Sequence, residues 1–136
     1  MTAEILLRGV LGLLAAYHLG MGLVSTFAPR AAARIGGALY AIEAAETPQL
    51  RYGVRMLGLY ALAFGGLLVL ATMDPRRYVA VVVAAAALQL ARAIARLALR
   101  RELAEAFPIG GRRNAVNAAV LLAVAATLAI CLVLAR

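Results

Sequence analysis

AVNAAVLLAVAATLAICLVLA, residues 115–135, is a run of twenty-one residues without one charged side chain. A helix crosses the hydrocarbon of a bilayer with about 20 mainly apolar residues, so this run is long enough to span. Residues 9–28, 56–73 and 78–99 form three comparable stretches, and the fourteen basic residues, all arginines, lie mainly at the ends of the four. Hydrophobic residues make up 65% of the chain and mean hydropathy is +0.93, against the roughly 45–50% apolar content of soluble domains. The chain therefore reads as all-α, an integral membrane four-helix bundle with spans at about 5–28, 52–73, 77–99 and 114–135. In 136 residues this leaves room for one domain and no separate aqueous one.

A net charge of +8 in a soluble chain would point to nucleic acid. Here the arginines flank apolar helices, where cytoplasmic loops and anionic headgroups place them, and no aromatics alternate with them to make a stacking platform. Membrane lipids, not nucleic acid, are the expected partners. Cys131, the one cysteine, lies within the last span as a small packing residue. The first span also resembles a signal peptide, since Arg8 precedes an apolar run ending at Ser25-Thr26-Phe27-Ala28. The run has the length of a full span, Glu4 weakens a positive leader, and Pro29 follows the only cleavage point, so a retained helix is expected.

Pro29 ends the first helix. Residues 30–50, broken by Gly36-Gly37 and Thr47-Pro48, are expected to give one or two short interfacial helical pieces between helices one and two, with Ala38, Leu39, Tyr40 and Ile42 on the apolar side and Glu43 and Glu46 as polar partners. The second helix opens near Tyr52. Asp74-Pro75-Arg76-Arg77 then makes a tight hairpin in which Asp74 caps and proline opens the third helix. That helix continues through residues 100–106, residues 107–111 turn the chain back, and the last helix begins around Asn114. Seven arginines, at 30, 34, 51, 100, 101, 112 and 113, lie in the connections after helices one and three, against four at 8, 76, 77 and 136. That bias puts the seven in the cytoplasm and both termini outside a bacterial inner membrane.

Small residues allow helix backbones to approach where lipid removes the hydrophobic drive. The expected seams are Gly12, Ala16 and Gly20; Ala61 and Gly65; Ala87, Ala91 and Ala95; and Ala115, Ala119 and Ala123. An internal echo also runs at an offset of 46 residues: Leu11-Gly12-Leu13 matches Leu57-Gly58-Leu59, Gly20 matches Gly66, and Thr26, Pro29 and Arg30 match Thr72, Pro75 and Arg76. Helices one and two would then be related by inversion, as in the repeats of many transporters.

Polar side chains inside hydrocarbon are costly and by default point to function. His18 lies mid-span on helix one, Arg55 one turn inside helix two, Gln89 and Arg92 on one face of helix three, and Asn114 and Asn117 at the start of helix four. At about 1.5 Å per residue, His18, Arg55 and Arg92 lie roughly 16, 6 and 12 Å in from the same membrane face. One reading is a pocket in which Arg55 and Arg92 hold an anionic or carbonyl-bearing ligand while His18 and Gln89 orient it, with Asn117 nearby. The structural reading has Arg55, Arg92 and Arg96 snorkelling or pairing with Glu43 and Glu46, and His18 bonding a backbone carbonyl. With one histidine, one membrane cysteine and six carboxylates the chain has no HExxH, CxxC or Gly-rich phosphate loop. No metal, cofactor or catalytic set is expected.

Phe27-Ala28-Pro29 at a helix end, Arg55-x-x-Gly58 opening a span and the short Asp74-Pro75 hairpin resemble the BphX-like and DoxX-like small bacterial inner-membrane proteins. The resemblance implies a four-helix membrane bundle; some DoxX-like proteins are accessory subunits of quinone-linked oxidoreductases. The expected role is a non-enzymatic structural or accessory membrane component, alone, as a homo-oligomer or in a larger complex. The alternative is binding or transport of a lipid, quinone or small organic anion around Arg92, Arg55 and His18. An enzyme using His18 as acid or base is the third and weakest option.

Overall fold

A computed structural model describes residues 2–40, 47–107 and 109–135. Among them every regular element is a helix: α1 (Thr2–Phe27), α2 (Pro29–Tyr40), α3 (Pro48–Met73), α4 (Val79–Ala98), α5 (Arg100–Ala106) and α6 (Gly111–Leu134). Four of them, α1, α3, α4 and α6, are long and apolar enough to cross a membrane, the architecture of a multi-pass membrane protein. In each, only 22% of the most apolar window is buried within the chain, and Leu13, Phe27, Leu57, Tyr60 and Val133 point outward. Hydrocarbon accepts such a surface without penalty, whereas water does not.

Several boundaries differ from the sequence reading, each for a local reason. The glycines at 36 and 37 do not break α2, which runs through them. Pro29 begins that helix, where its missing N–H costs nothing. Thr47-Pro48 starts α3 instead of interrupting an interfacial piece: Thr47 Oγ1 accepts from Leu50 N at 3.1 Å with proline as the first helical residue. Pro75 does not open α4. Asp74 Oδ1 accepts from Arg77 N at 3.1 Å, holding residues 75–78 as a turn before Val79. The third span stops at Ala98, and α5 is a separate helix beyond Leu99.

Sequence neighbours are not the main spatial neighbours. The most extensive packing joins α1 to α3, then α4 to α6, and α1 to α6, while the tight hairpin leaves α3 and α4 with little contact. The bundle is thus two antiparallel pairs joined along α1 and α6. Its large apolar core lies at the hairpin end, where Leu7, Leu11, Leu68, Val82 and Leu128 are fully buried with Cys131 among them. At the other end the buried apolar side chains of the long helices are alanines, Ala93, Ala118 and Ala125, interspersed with His18, Gln89 and Asn114.

The α1–α3 contact is made through glycine. A methyl group on Gly58 would lie 2.5 Å from Thr26 Oγ1, 2.8 Å from Thr26 N and 2.9 Å from the Gly22 carbonyl. On Gly22 it would meet Leu62 N at 2.9 Å and the Gly58 carbonyl at 3.0 Å. Gly65 is closed in the same way by Leu19. The backbones therefore touch, which supplies dispersion attraction where solvent supplies no drive. The 46-residue offset exchanges two threonine–glycine pairs here: Thr26 lies against Gly58, and their counterparts pair likewise, Thr72 lying 3.8 Å from a methyl placed on Gly12. An antiparallel pair related by inversion has this reciprocity.

The expected seams need correction. Gly65 is buried, but Ala16, Gly20, Ala87, Ala91, Ala95, Ala115, Ala119 and Ala123 all face outward. The inward faces instead run through the polar residues: His18 with Leu11, Ala15 and Gly22; Gln89 with Val82, Ala85 and Ala93; Asn114 with Ala118, Ala125 and Leu128. Hydrocarbon tolerates an outward alanine at no cost and an outward glutamine at considerable cost, so polarity rather than smallness orients α4 and α6, while α3 turns its glycines inward. Gly58→Ala is expected to lower the thermal midpoint in detergent, by about 1–3 kcal/mol of stability, because the clash is with backbone. Gly66→Ala, into open space, is expected to leave the midpoint unchanged or raised in the same assay.

Candidate functional site

At the hairpin end charge is clasped. Arg8 Nη1 donates to the Thr72 and Met73 carbonyls at 3.1 and 2.6 Å, and its Nε and Nη2 donate to Glu4 Oε1 at 3.2 and 2.8 Å. The arginine thereby satisfies orphan carbonyls at the α3 C-terminus, where its charge is favoured. Only the Glu4–Arg8 spacing of four was legible in sequence; the reach to α3 was not.

A second clasp ties α4 to α6. Arg96 Nη1 donates to Asn114 Oδ1 at 3.0 Å, and Asn114 Nδ2 donates to the Arg96 carbonyl at 2.9 Å. Asn114 is 7% exposed. This double bond places Arg96 and Asn114 level on antiparallel helices, so moving three residues inward on each brings Asn117 level with Ala93, about 4.5 Å deeper. Arg92 is the neighbour of Ala93, and Gln89 is one turn deeper still.

In that layer the bonds stop. Gln89 is 2% exposed and its Nε2 has no hydrogen-bond partner. Asn117 Nδ2 is buried and likewise unpartnered. Arg92, half-buried, makes no hydrogen bond or ion pair among the described residues and lies near enough to His18 for its charge to bear on the ring. His18 Nδ1 donates to the Leu14 carbonyl at 2.8 Å, the bond expected on the structural reading, and this leaves Nε2 with a lone pair in the neutral ring. Its ring stands edge-on to Phe64, centroids 5.1 Å apart at 75°, and to Tyr17 at 5.3 Å and 89°.

The sequence candidates thus divide. His18 and Arg92 lie within electrostatic reach of each other, with Gln89 and Asn117 at neighbouring depth. Arg55 does not join them: it is exposed on α3 with no bond among the described residues. Glu43 and Glu46 lie outside the described residues. No group of three metal-binding side chains occurs among the described residues. The cluster is a set of donors, an amide N–H₂ from each of Gln89 and Asn117 and a guanidinium from Arg92, and what complements it chemically is an oxygen acceptor.

No protein-family model matches this chain. No curated protein and no solved structure matches it either.

Asn114→Ala is expected to cost about 1–3 kcal/mol of stability, because it removes both hydrogen bonds that tie α4 to α6 at this level. Arg55→Leu should change stability by no more than about 0.5 kcal/mol. Thermal unfolding of the two variants in one detergent checks both.

Proposed function

We propose that this chain is a non-enzymatic, multi-pass protein of a bacterial inner membrane that binds a membrane-soluble amphiphile bearing carbonyl or carboxylate oxygens, a quinone or fatty acid by class, at Gln89, Arg92 and Asn117. The observation that carries this is the Gln89 amide, 2% exposed, with its Nε2 unpaired. An unpaired buried donor costs about 1–3 kcal/mol, a cost that an acceptor oxygen removes. His18 and Phe64, edge to face at 5.1 Å, add aromatic surface from α1 and α3. Arg55 has no part in this site.

The accessory reading retains support from the outer surface. Gly20 and Gly66 both open onto free space on the outward side of the α1–α3 pair, and such residues accept a further helix, from a second copy or a larger complex. Kinship with the DoxX-like and BphX-like proteins, carried by Phe27-Ala28-Pro29, Arg55-x-x-Gly58 and Asp74-Pro75, agrees with either role. The seven-to-four arginine bias supports both termini outside and the α1–α3 and α4–α6 connections in the cytoplasm.

Binding is tested by thermal stability in detergent with decylubiquinone and, separately, decanoate. One of the two is expected to raise the wild-type midpoint saturably, and Gln89→Leu and Arg92→Leu to abolish the rise. Without ligand, Gln89→Leu should be as stable as wild type or more so, since it removes an unpaired polar group. A wild-type midpoint indifferent to both probes, with Arg92→Leu markedly destabilised, would give the cluster to a structural clasp. For orientation, reporters fused at each terminus should register outside; a cytoplasmic signal from either contradicts the arginine bias.

A further inference from the structure

A groove of about 350 Å³ opens where α4 gives way to α5 and α6 begins. Its apolar lining includes Leu97, Leu103 and Ile109, and its polar lining is Arg100, Arg101 and Asn114, with Gly111 beside them. It lies at the end of one span and the start of another, which is headgroup depth. Arg100, Arg101 and the adjacent Arg112 make no hydrogen bond or ion pair among the described residues. The first turn of α6 is uncapped: Gly110 offers no side-chain bond, and neither Gly110 nor Gly111 has any atom within 4 Å of where a Cβ would stand. Backbone N–H groups at a helix start and guanidinium forks both favour phosphate oxygens.

We infer that this groove holds the phosphate of an anionic glycerophospholipid, gripped by Arg100 and Arg101 beside the open Gly110–Gly111 start of α6, with the glycerol and upper acyl carbons on Leu97 and Leu103. The combination distinguishes it from the arginines at the other membrane face. There Arg76 Nη2 lies 4.0 Å from Glu4 Oε2, and Arg77 stacks on the Tyr78 ring at 5.7 Å, so both charges are engaged within the protein. The site is independent of the amphiphile cluster inside the bundle, since it uses none of the same residues. Both faces lie near lipid headgroups, but among the described residues it is the α4–α6 face that offers unengaged guanidinium groups above an apolar floor.

The test is native mass spectrometry of the full chain in detergent, titrated with dioleoylphosphatidylglycerol or dioleoylphosphatidylcholine. Three proteins are compared: wild type, the double variant Arg100→Gln/Arg101→Gln, and the charge-matched control Arg76→Gln/Arg77→Gln. The wild type and the control should retain phosphatidylglycerol over phosphatidylcholine, and the Arg100/Arg101 variant should lose about tenfold in that retention. Equal loss in both double variants would reduce the effect to diffuse charge and overturn the site, as would equal retention of the two lipids. Displacement of phosphatidylglycerol by millimolar inorganic phosphate would assign the groove to free phosphate and also overturn the lipid proposal. All four substituted arginines are exposed, so the variants are expected to fold.

Discussion

Hydrocarbon offers no partner to a hydrogen-bonding group, and that constraint orders the whole molecule. Helices α1, α4 and α6 turn inward the faces that carry His18, Gln89 and Asn114, and most polar groups so enclosed bond inside the protein, Gln89 Nε2, Asn117 Nδ2 and Thr26 Oγ1 excepted. Arg8 does so on the α3 carbonyls, His18 on Leu14, Thr72 on Leu68 and Asn114 on Arg96. With these groups satisfied, the glycines of α1 and α3 can bring two backbones into contact over Gly22 and Gly58. Packing in lipid depends on that closeness, because apolar burial there has little transfer free energy to contribute.

The two ends of the bundle follow from the same constraint with different residues. The hairpin end has leucines and valine to fill it and reaches full burial. The opposite end has alanines and amides, so its interior is thinner and its polarity higher. Gln89, Arg92 and Asn117 belong to that end, and it is there that two buried amide donors, Gln89 Nε2 and Asn117 Nδ2, have no partner. A bundle built only for rigidity would gain from leucine at position 89; a bundle that accommodates an oxygen-bearing amphiphile has a reason for glutamine.

The number and placement of the long helices were legible because twenty apolar residues in a row have one economical use. The inward faces were not read correctly from small residues, since alanine is so frequent here that a stripe of it can be drawn on the wrong side, as at Ala87-Ala91-Ala95 and Ala115-Ala119-Ala123. The same sequence held a better signal in His18, Gln89 and Asn114, each of which marks the buried face of its helix. Of the candidate site, the similar depth of His18 and Arg92 was legible from the rise per residue and the alternating helix direction. Arg55 failed the same argument because depth fixes a level in the membrane but not the side of the helix. The Arg96–Asn114 clasp was out of reach, as it depends on the register between α4 and α6.

The most direct measurement is an experimental structure of the protein extracted with its native lipids, inspected around Gln89 and Arg92. The account predicts a bound non-protein molecule whose oxygen lies within hydrogen-bond distance of Gln89 Nε2 or the Arg92 guanidinium. A dry interface in which both side chains are paired to protein groups would contradict it.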